Sequence, residues 1–375
     1  MQPGVLFLVN SLCVGGAERH VVSLVNNLDC HAYRLSLGYL KPDDALLSQL
    51  KTERLDAVLS LGVKRKLNFS VVRTLANYID ERKIKIVISA NQYPLLYSML
   101  AARRVRCPPR QVEVFHATIM QTLKETLQMS LYRTLFRRLD LLVYVSHAQR
   151  AYWNARRVRA KREVVIHNGI DTDHFTDSFT SAQKQALRAR YGFLATDYVI
   201  GICAALRPEK AHSDFLLAMA RLRNAGQPAK GLIIGDGTER AAIERRIEQL
   251  GIARHVVITG FESDVRPFIA ACDVMTLTSH FETFSLATLE AMAMAKPVVM
   301  TRIGGAAEQV DPGVNGFLFA PGDIDALTHF LSDLSSAERR AFMGRAAEAS
   351  VRERFTQGRM IEAYSRNLAA LADSI

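Results

Sequence analysis

The sequence predicts an α/β fold made of two doubly wound domains, each a parallel sheet covered by helices. Short apolar segments of strand length alternate with longer amphipathic segments in both halves of the chain, which is typical of parallel sheets. The chain has 375 residues, more than one hydrophobic core usually organises, so two domains are expected. Hydrophobic residues make up 49% of the sequence, which supports folding of both domains.

Ten strands follow from this pattern, five in each half. They are predicted at residues 5–9, 34–40, 84–89, 111–115 and 141–145, and at 198–203, 231–234, 256–259, 274–278 and 297–301. The segment 176–192 is polar and helical in its middle, so we predict domains of residues 1–180 and 181–375. Ligands of doubly wound sheets bind beyond the carboxyl ends of the strands, and we expect them in a cleft between the two domains.

Positive charge is concentrated in the first half of the chain. Residues 1–180 hold 26 Lys and Arg against 15 Asp and Glu, whereas residues 181–375 hold 22 of each. The net charge of +11 therefore belongs to the first half. A basic domain indicates an anionic partner such as a membrane surface, a phosphorylated lipid or a nucleic acid, and a solvated basic surface is the alternative.

The cysteines favour a reducing compartment, because they are odd in number and lack the spacing of a disulfide framework or a metal site. They are Cys13, Cys30, Cys107, Cys203 and Cys272. The chain runs from its first residue into a strand with no basic leader, and no apolar stretch reaches the roughly 20 residues of a spanning helix. We therefore expect a cytoplasmic protein whose membrane contact, if any, is peripheral.

Two carboxylates, Glu282 and Glu290, flank the predicted start of a helix near Ser285, which follows the strand 274–278. The first turn of a helix has unpaired N–H groups and the positive end of the helix dipole, and both bind anions such as a diphosphate. Carboxylates beside it can accept hydrogen bonds from hydroxyl groups. The arrangement fits a sugar nucleotide with Glu282 near the sugar and Glu290 near the ribose, although two glutamates at this spacing also occur often by chance.

Two features follow predicted strands of the first half. Gly15 and Gly16 open a helix after the first strand, where glycine lets the backbone approach a ligand closely, and a tight turn without a ligand is the alternative. His116 directly follows the strand 111–115, a position from which it could bond a sugar hydroxyl or transfer a proton. A structural role is the alternative for His116, as it is for His280 beside the carboxylate pair.

Cations and glycines follow the strands of the second half. Arg207 and Lys210 come after its first strand and are expected to neutralise a leaving diphosphate, unless this segment is a solvated turn. Gly235, Gly260 and Phe261 follow the next two strands, where close contact with a base or a sugar is expected and a simple turn is the alternative.

No metal or cofactor is predicted. Asp171 and Asp173 look like a metal-binding pair, but they lie in the segment that leads to the domain boundary rather than after a core strand. No other cluster has the spacing of a metal site, and a P-loop, a nucleophile elbow and a zinc-binding helix are all missing from the sequence.

Together these residues resemble glycosyltransferase family 4, retaining enzymes of the GT-B fold that use nucleotide sugars, and the resemblance spans nearly the whole chain. Its strongest element is the Glu-x7-Glu motif, which here runs from Glu282 to Glu290. The resemblance implies that Glu282 contacts the transferred sugar and that Glu290 binds the ribose hydroxyls. It also implies that the backbone of Phe284, Ser285 and Leu286 holds the diphosphate.

The same resemblance assigns three further positions. It implies that Gly16 belongs to a phosphate loop, that His116 is the active-site histidine of the acceptor-binding N-terminal domain, and that Lys210 contacts the phosphates in the donor-binding C-terminal domain. Segment 165–171 resembles the strand and turn before the linker, and the last helix of this fold can cross back to the N-terminal domain.

Two positions depart from the family pattern. The family usually has an arginine five residues before the lysine at position 210, and this chain has Ala205 there, with Arg207 two positions further on. Arg207 is our candidate for the missing charge. Position 285 is often glycine in the family and is serine here, a small change that keeps a close backbone approach feasible.

The resemblance implies metal-independent transfer of a hexose or N-acetylhexosamine from a nucleoside diphosphate sugar, preferably a UDP-sugar, to a hydroxyl of a glycan or lipid-linked acceptor. Assembly of cell-surface polysaccharide or lipopolysaccharide at the inner face of the plasma membrane is the expected setting. Two alternatives stay open: a sugar-nucleotide epimerase of the same fold, and a basic nucleic-acid-binding protein, which only the charge of the first half favours.

Overall fold

The structure is a computed structural model that describes residues 2–13, 15–64, 67–117, 119–120 and 122–373, so Val14 of the predicted glycine loop lies outside the described residues. The chain forms two compact units. The first consists of Met1–Asn168 together with Gln357–Ile375, and the second is Gly169–Thr356.

The first unit contains a seven-stranded sheet in which every strand runs parallel to its neighbours. Its strands are β1 (Gly4–Val9), β2 (Arg34–Tyr39), β3 (Leu55–Ser60), β4 (Ile84–Ala90), β5 (Arg110–Phe115), β6 (Leu141–Tyr144) and β7 (Glu163–Val165). The order across the sheet is β3-β2-β1-β4-β5-β6-β7. The direction in which strands are added reverses between β1 and β4, as in a doubly wound fold.

The second unit contains a six-stranded parallel sheet of the same design. Its strands are β8 (Tyr198–Cys203), β9 (Ala229–Ile234), β10 (Val256–Gly260), β11 (Val274–Leu277), β12 (Val298–Thr301) and β13 (Gly316–Phe319). The order is β10-β9-β8-β11-β12-β13, so the reversal falls between β8 and β11. The predicted pair of doubly wound α/β domains is confirmed.

Helices cover the faces of both sheets. In the first unit they are α1 (Gly16–Asn27), α2 (Phe69–Glu81), α3 (Gln92–Ala102), α4 (Leu123–Phe136), α5 (His147–Ala155) and, at the end of the chain, α14 (Gln357–Ala372). In the second unit they are α6 (Ser181–Arg190), α7 (His212–Asn224), α8 (Arg240–Gln249), α9 (Arg266–Ala271), α10 (Leu286–Ala293), α11 (Ala306–Gln309), α12 (Ile324–Asp333) and α13 (Ala337–Arg354).

Side-chain caps fix several of these helix starts. Thr122 and Thr180 form capping boxes at α4 and α6, in which the hydroxyl accepts the N–H three residues on and the side chain there reaches back. Ser285 caps α10 by accepting a hydrogen bond from the Thr288 N–H. None of the helices among the described residues is both long enough and apolar enough to cross a bilayer.

Three strands of the structure were not among those predicted, and all three lie at sheet edges. β3 and β7 close the two sides of the first sheet, and β13 closes one side of the second. The residues of β3 and β7 are partly buried or exposed, whereas β13 is a fully buried strand of four residues. Edge strands need less apolar sequence than central ones, which explains the weak pattern of β3 and β7 but not the omission of β13.

The border between the units lies before the predicted boundary at residue 180. Residues 169–180 belong to the second unit because their polar groups bond within it. The His174 carbonyl accepts a hydrogen bond from Arg266, and Asp177 lies 2.6 Å from Lys184 and 3.8 Å from Lys296, measured between oxygen and Nζ. A polar sequence in this case marks a segment packed on its domain rather than a free linker.

The final helix, α14, belongs to the first unit, although the predicted domain 181–375 contains it. Its apolar face, with Met360, Tyr364, Leu368 and Leu371, joins the core formed by α1 and the sheet. The helix therefore follows the family arrangement in which the chain returns to its first domain, and the second domain ends at Thr356.

Candidate functional site

The predicted donor residues lie at the carboxyl edge of the second sheet, where β8 and β11 are neighbours and the strand order reverses. This is the position at which doubly wound sheets bind ligands. Arg207 and Lys210 follow β8, and Glu282 and Ser285 follow β11. Neighbouring parallel strands bring these two loops side by side.

The two loops are joined by direct bonds. Lys210 Nζ lies 2.7 Å from Glu282 Oε2, and each side chain keeps about a fifth of its surface exposed. The Thr278 hydroxyl donates to the carbonyls of Lys210 and Ala211, and the His280 N–H donates to the Glu209 carbonyl. The backbone bonds hold the lysine opposite the glutamate, which leaves a half-buried pair of opposite charges accessible to a ligand.

The start of α10 supplies a second feature suited to an anion. Leu286 and Ala287 are its first residues, and the N–H groups of a first turn have no acceptor within the helix. The Ser285 N–H, by contrast, donates to Gln309 Oε1 at 3.2 Å, and Gln309 Nε2 donates back to the Ser285 carbonyl at 2.8 Å. The amide predicted to hold a diphosphate at Ser285 is thus already bonded in this structure.

The backbone around Glu282 is pressed against the loop that follows β12. A Cβ atom on Gly304, which has φ of +49°, would lie 2.1 Å from the Glu282 carbonyl oxygen. The Gly305 N–H donates to the Thr283 carbonyl at 2.8 Å. Gly304 was not singled out in the sequence. Glycine is needed there because the loop after β12 lies against the backbone of Glu282, a contact that exists only in the folded chain.

The remaining residues of the acidic motif are buried. Phe284 packs edge-on against Phe355, with ring centroids 5.5 Å apart. Glu290 lies one turn into α10 and is 5% exposed, far less than Glu282. The assignment of Glu290 to a ribose stays a prediction, and it requires that a bound nucleotide reach an enclosed carboxylate.

The glycine turns after β9 and β10 touch other backbone rather than open space. A Cβ on Gly235 would lie 2.1 Å from the Ala204 oxygen, and one on Gly237 would lie 2.5 Å from the Leu206 oxygen. Gly260 has φ of +88° and pairs with Gly235 in an isolated bridge. Gly235 and Gly237 therefore shape the loop that carries Lys210, while Phe261, next to Gly260, is exposed.

Arg207 lies in the same loop as Lys210, and its side chain is exposed. Among the described residues no ion pair to Arg207 is found. Ala205, at the position where the family usually has arginine, is exposed as well. The guanidinium can therefore turn toward a bound anion without breaking an existing pair.

In the first unit, His116 lies just beyond β5 at the carboxyl edge. The backbone N–H of His116 donates to Asn91 Oδ1 at 3.1 Å, and Asn91, which follows β4, adopts a positive φ of 70°. The His116 ring packs edge-on against His20 of α1, with centroids 5.0 Å apart. His20 Nε2 in turn lies 3.0 Å from the Tyr364 hydroxyl of α14.

Both histidines are held neutral at physiological pH. Burial lowers the pKa of His116 to about 4. Burial, with a smaller contribution from His116, lowers the pKa of His20 well below its ordinary value. The first unit therefore presents uncharged imidazoles where the second presents an ion pair. Sequence reasoning missed His20, whose only signal was its position in the first turns of a helix that follows β1.

Gly16 begins α1, and a Cβ atom there would meet nothing within 4 Å. No internal contact demands glycine at this position, which leaves room for a ligand to approach.

Asp171 accepts hydrogen bonds from the N–H groups of Asp173 and His174 at 3.0 Å each, the geometry of a local turn.

Two doubly wound units of this kind, the second with cations and a helix start at its switch point, form the GT-B class of nucleotide-sugar enzymes. Two family models match successive parts of the chain: "Glycosyltransferase Family 4" over residues 14–174 and "Glycosyl transferases group 1" over residues 183–350. The chain belongs to glycosyltransferase family 4.

Individual relatives agree with this membership. The chain is 30% identical over 201 residues to the N-acetyl-alpha-D-glucosaminyl L-malate synthase of Bacillus anthracis, which covers 53% of this chain and 51% of the relative, about half the length of each. It is 26% identical to the putative glycosyltransferase EpsD of Bacillus subtilis, over 76% of this chain and 77% of that one. The solved structure of Anabaena Alr3699/HepE in complex with UDP shares the fold, with a TM-score of 0.86 at 24% identity over 99% of this chain and 100% of that one.

Proposed function

We propose that this protein is a retaining glycosyltransferase that moves a hexose or N-acetylhexosamine from a UDP-sugar to a hydroxyl of a glycan or lipid-linked acceptor. The observation that carries the proposal is the pair of Lys210 and Glu282, 2.7 Å apart, beside the start of α10. The names of the relatives support it, since one is an N-acetyl-alpha-D-glucosaminyl L-malate synthase and one similar structure is a complex with UDP.

In the proposed reaction, negative charge grows on the diphosphate as the bond to the sugar breaks. Lys210 and the N–H groups of Leu286 and Ala287 stabilise that charge, since groups that are oriented once the donor is bound need no further rearrangement during the reaction. Binding of the donor moves Lys210 from Glu282 to the phosphates and leaves Glu282 for the sugar hydroxyls. With these donors in place we propose that the transfer needs no divalent ion.

His116 is the proposed contact of the first unit with the acceptor. An imidazole with a pKa of about 4 is a weak base at neutral pH, so it does not retain a proton taken from a hydroxyl. It can accept a hydrogen bond from that hydroxyl and hold its oxygen in place. We therefore assign His116 to orientation of the acceptor, with the proton leaving by way of the departing phosphate.

The setting we propose is assembly of surface polysaccharide or lipopolysaccharide on the cytoplasmic side of a membrane. The five cysteines are odd in number and scattered along the sequence, which favours a reducing compartment. The first unit carries the excess positive charge, with 28 Lys and Arg and 14 Asp and Glu. The second unit has 20 Lys and Arg and 23 Asp and Glu. An anionic acceptor or an anionic bilayer matches that excess.

The test uses the variants Lys210→Ala and Glu282→Ala with Lys230→Ala as a matched control in the same unit. Loss of one oriented donor typically lowers turnover by about 100-fold to 1,000-fold. We expect such a loss in release of UDP from a UDP-sugar for the first two variants and none for the control. Undiminished turnover in both site variants, with unchanged thermal unfolding, would refute the proposed site.

A second assay separates transfer from epimerisation. A sugar-nucleotide epimerase changes the configuration of the donor sugar without an acceptor, whereas the proposed transferase needs an acceptor or water. Nuclear magnetic resonance of the donor after incubation with enzyme alone distinguishes the two. A thermal-shift panel of uridine, guanosine and adenosine diphosphate sugars identifies the base, because a ligand that binds the folded state raises the unfolding temperature.

A further inference from the structure

Large exposed hydrophobic side chains of the first unit fall on two short stretches of its sequence. One stretch lies just before and at the start of α2, and the other leads into α4 and continues along it. These residues, which we call the apolar strip, are Leu67, Phe69, Ile119, Leu127 and Leu131.

The apolar strip lies on one face of the first sheet. α2 and α4 follow the parallel strands β3 and β5, so both helices begin at the carboxyl edge. α3 contacts both α2 and α4, which places the three helices side by side over the same face. The two stretches of the strip therefore share a face and an edge, although more than 45 residues separate them in the sequence.

On α4 the strip is not needed for packing. Leu127 and Leu131 are 72% and 73% exposed, and their spacing of four residues sets them one above the other on the outer face. The opposite face of α4 inserts Met129, Tyr132 and Phe136 into the core. The helix is thus fully anchored without its two outer leucines.

The segments that carry the strip contain many more basic than acidic residues in their sequence. Segments 64–69 and 119–138 together contain seven Lys and Arg and a single acidic residue, Glu125. The Glu125 carboxylate accepts a hydrogen bond from the Thr122 N–H in the capping box of α4. Lys124 precedes Leu127 by one turn, so a basic side chain flanks the leucines on the same face of the helix.

The end of α4 leads into a basic cleft. Leu135 and Arg138 line one side of an open cavity of about 750 Å³, and Leu96, Met99 and Arg103 are also part of its wall. Apolar walls with guanidinium groups at the same opening suit an acyl chain attached to a phosphate. The wall also includes Asp140, which pairs with Arg110 and Lys161, so Arg103 and Arg138 are the cations that the cleft adds at the far end of α4.

We propose that the apolar strip and α4 dock the first unit on an anionic bilayer, with the leucines entering the headgroup region and the surrounding cations binding lipid phosphates. Separate leucines on a convex helix surface among long basic side chains fit an interface between water and lipid. A protein partner would favour an apolar centre depleted of charged residues, whereas basic residues stand near these leucines in the sequence. The inference deepens the proposed function by naming the membrane surface at which a lipid-linked acceptor is met.

The experiment measures flotation of the purified full-length protein with phosphatidylcholine vesicles and with vesicles of phosphatidylcholine and phosphatidylglycerol, without any nucleotide sugar. We expect binding to the mixed vesicles only, and weakening by salt. Leu127→Gln with Leu131→Gln is expected to lower the binding constant about tenfold or more, since each leucine contributes through its buried apolar area.

A second pair of variants tests the charge. Arg137→Gln with Arg138→Gln is expected to lower the binding constant about 25-fold at low salt, since each basic residue near an anionic surface contributes about fivefold. The matched controls lie in the second unit: Leu194→Gln, at a leucine that is 67% exposed, and Arg245→Gln, at an exposed arginine. Both controls should bind as the unchanged protein does.

Three results would overturn the proposal: no binding of the unchanged protein to anionic vesicles, equal loss in the controls, or self-association that the leucine variants abolish while vesicle binding persists. Thermal unfolding verifies that the variants fold, and exposed positions should leave it unchanged. Lys210→Ala separates membrane binding from the proposed reaction, because it should lower turnover about 100-fold to 1,000-fold and leave flotation intact. Failure of either hypothesis is therefore seen separately.

Discussion

The carboxyl edges of the two sheets have the same switch-point topology, but one carries charged side chains and the other carries neutral ones. At the switch point of the second unit, Lys210 and Glu282 form a half-buried ion pair beside a helix start. At the corresponding edge of the first unit, His20 and His116 are neutral imidazoles in contact with each other. A doubly wound sheet fixes where a ligand binds, and the loops decide its charge.

The distribution of charge in the first unit makes the same point. That unit is the more basic of the two, yet His116 lies against the uncharged side chains of Asn91 and His20. Its excess lysines and arginines include those around the apolar strip. Net charge of a domain therefore predicts an anionic partner for its surface without predicting an anionic ligand for its site.

The largest contrast concerns the glycines of the two edges. Gly235→Ala places a Cβ 2.1 Å from the Ala204 oxygen, whereas Gly16→Ala meets nothing within 4 Å. We expect Gly235→Ala to lower the free energy of unfolding by about 3 kcal/mol, through strain and backbone displacement. Gly16→Ala should change it by less than about 1 kcal/mol, since alanine is favoured in a helix.

Urea denaturation of both variants measures this difference in the free energy of unfolding. Turnover of the donor then tests whether a ligand approaches Gly16. If a phosphate approaches Gly16, Gly16→Ala lowers turnover in a protein of normal stability. Equal stability of the two alanine variants would contradict the contrast between an internally required glycine and an open one.

The neutral histidines predict a pH dependence of stability. His116 has a pKa of about 4 in the folded protein and about 6.5 in the unfolded chain, so the unfolded chain binds more protons between these values. Stability is full above pH 6.5 and falls as the pH drops toward 4, by an amount on the order of 2 to 3 kcal/mol for this residue. Denaturation midpoints between pH 7.5 and 4.5 measure the loss.

His116→Gln should remove its part of that loss, and His31→Gln, at an exposed position, serves as the control. Burial also lowers the pKa of His212 in the second unit to about 4, so some pH dependence persists in the variant. An identical slope in the unchanged protein and His116→Gln would mean that the imidazole titrates freely, and the contrast between a charged and an uncharged site would fail.

The first unit also keeps a carboxyl group neutral. Glu113 on β5 is fully buried, and burial raises its pKa well above the usual range. The unfolded chain ionises near pH 4.5 while the folded form stays protonated, so stability falls as the pH rises through this range. We expect Glu113→Gln to raise the free energy of unfolding by about 1 to 3 kcal/mol at pH 8 and to leave it unchanged at pH 4.

The control is Glu53→Gln, at an exposed glutamate of the same unit. It should have no effect at either pH. Destabilisation by Glu113→Gln at pH 8 would indicate that the carboxylate is charged and paired in the folded protein, which would contradict an uncharged interior on that face of the sheet.

The sequence identified the fold through its central strands and missed β3, β7 and β13 at the edges. β3 and β7 bury less surface than central strands, so the apolar run that marks a central strand is weak in them, whereas β13 is fully buried and this reason does not apply to it. The alternation of short apolar segments with longer amphipathic ones was nevertheless sufficient to assign the doubly wound class.

The site shows a similar division between local and distant information. Lys210 and Glu282 follow strands that the pattern identifies, and the structure brings them into contact. Gln309 bonds the Ser285 backbone from 24 residues away, and Tyr364 bonds His20 from 344 residues away. No local motif encodes such partners, because they depend on which strands and helices become neighbours in the fold.

The smallest expected effect concerns Arg207, which tests how much of the second edge is needed for the anion. Its guanidinium is exposed, so a bond to a phosphate formed there is screened by water and is worth about 1 kcal/mol, or roughly fivefold in the KM for the donor. Arg207→Ala should therefore raise KM about fivefold with little change in kcat. Combining it with Ala205→Arg, which restores the family arginine, should recover most of that loss. A fall in turnover as large as that of Lys210→Ala would instead make Arg207 the principal cation. The charge that distinguishes the second unit from the first would then come from the exposed Arg207 rather than from the half-buried pair of Lys210 and Glu282.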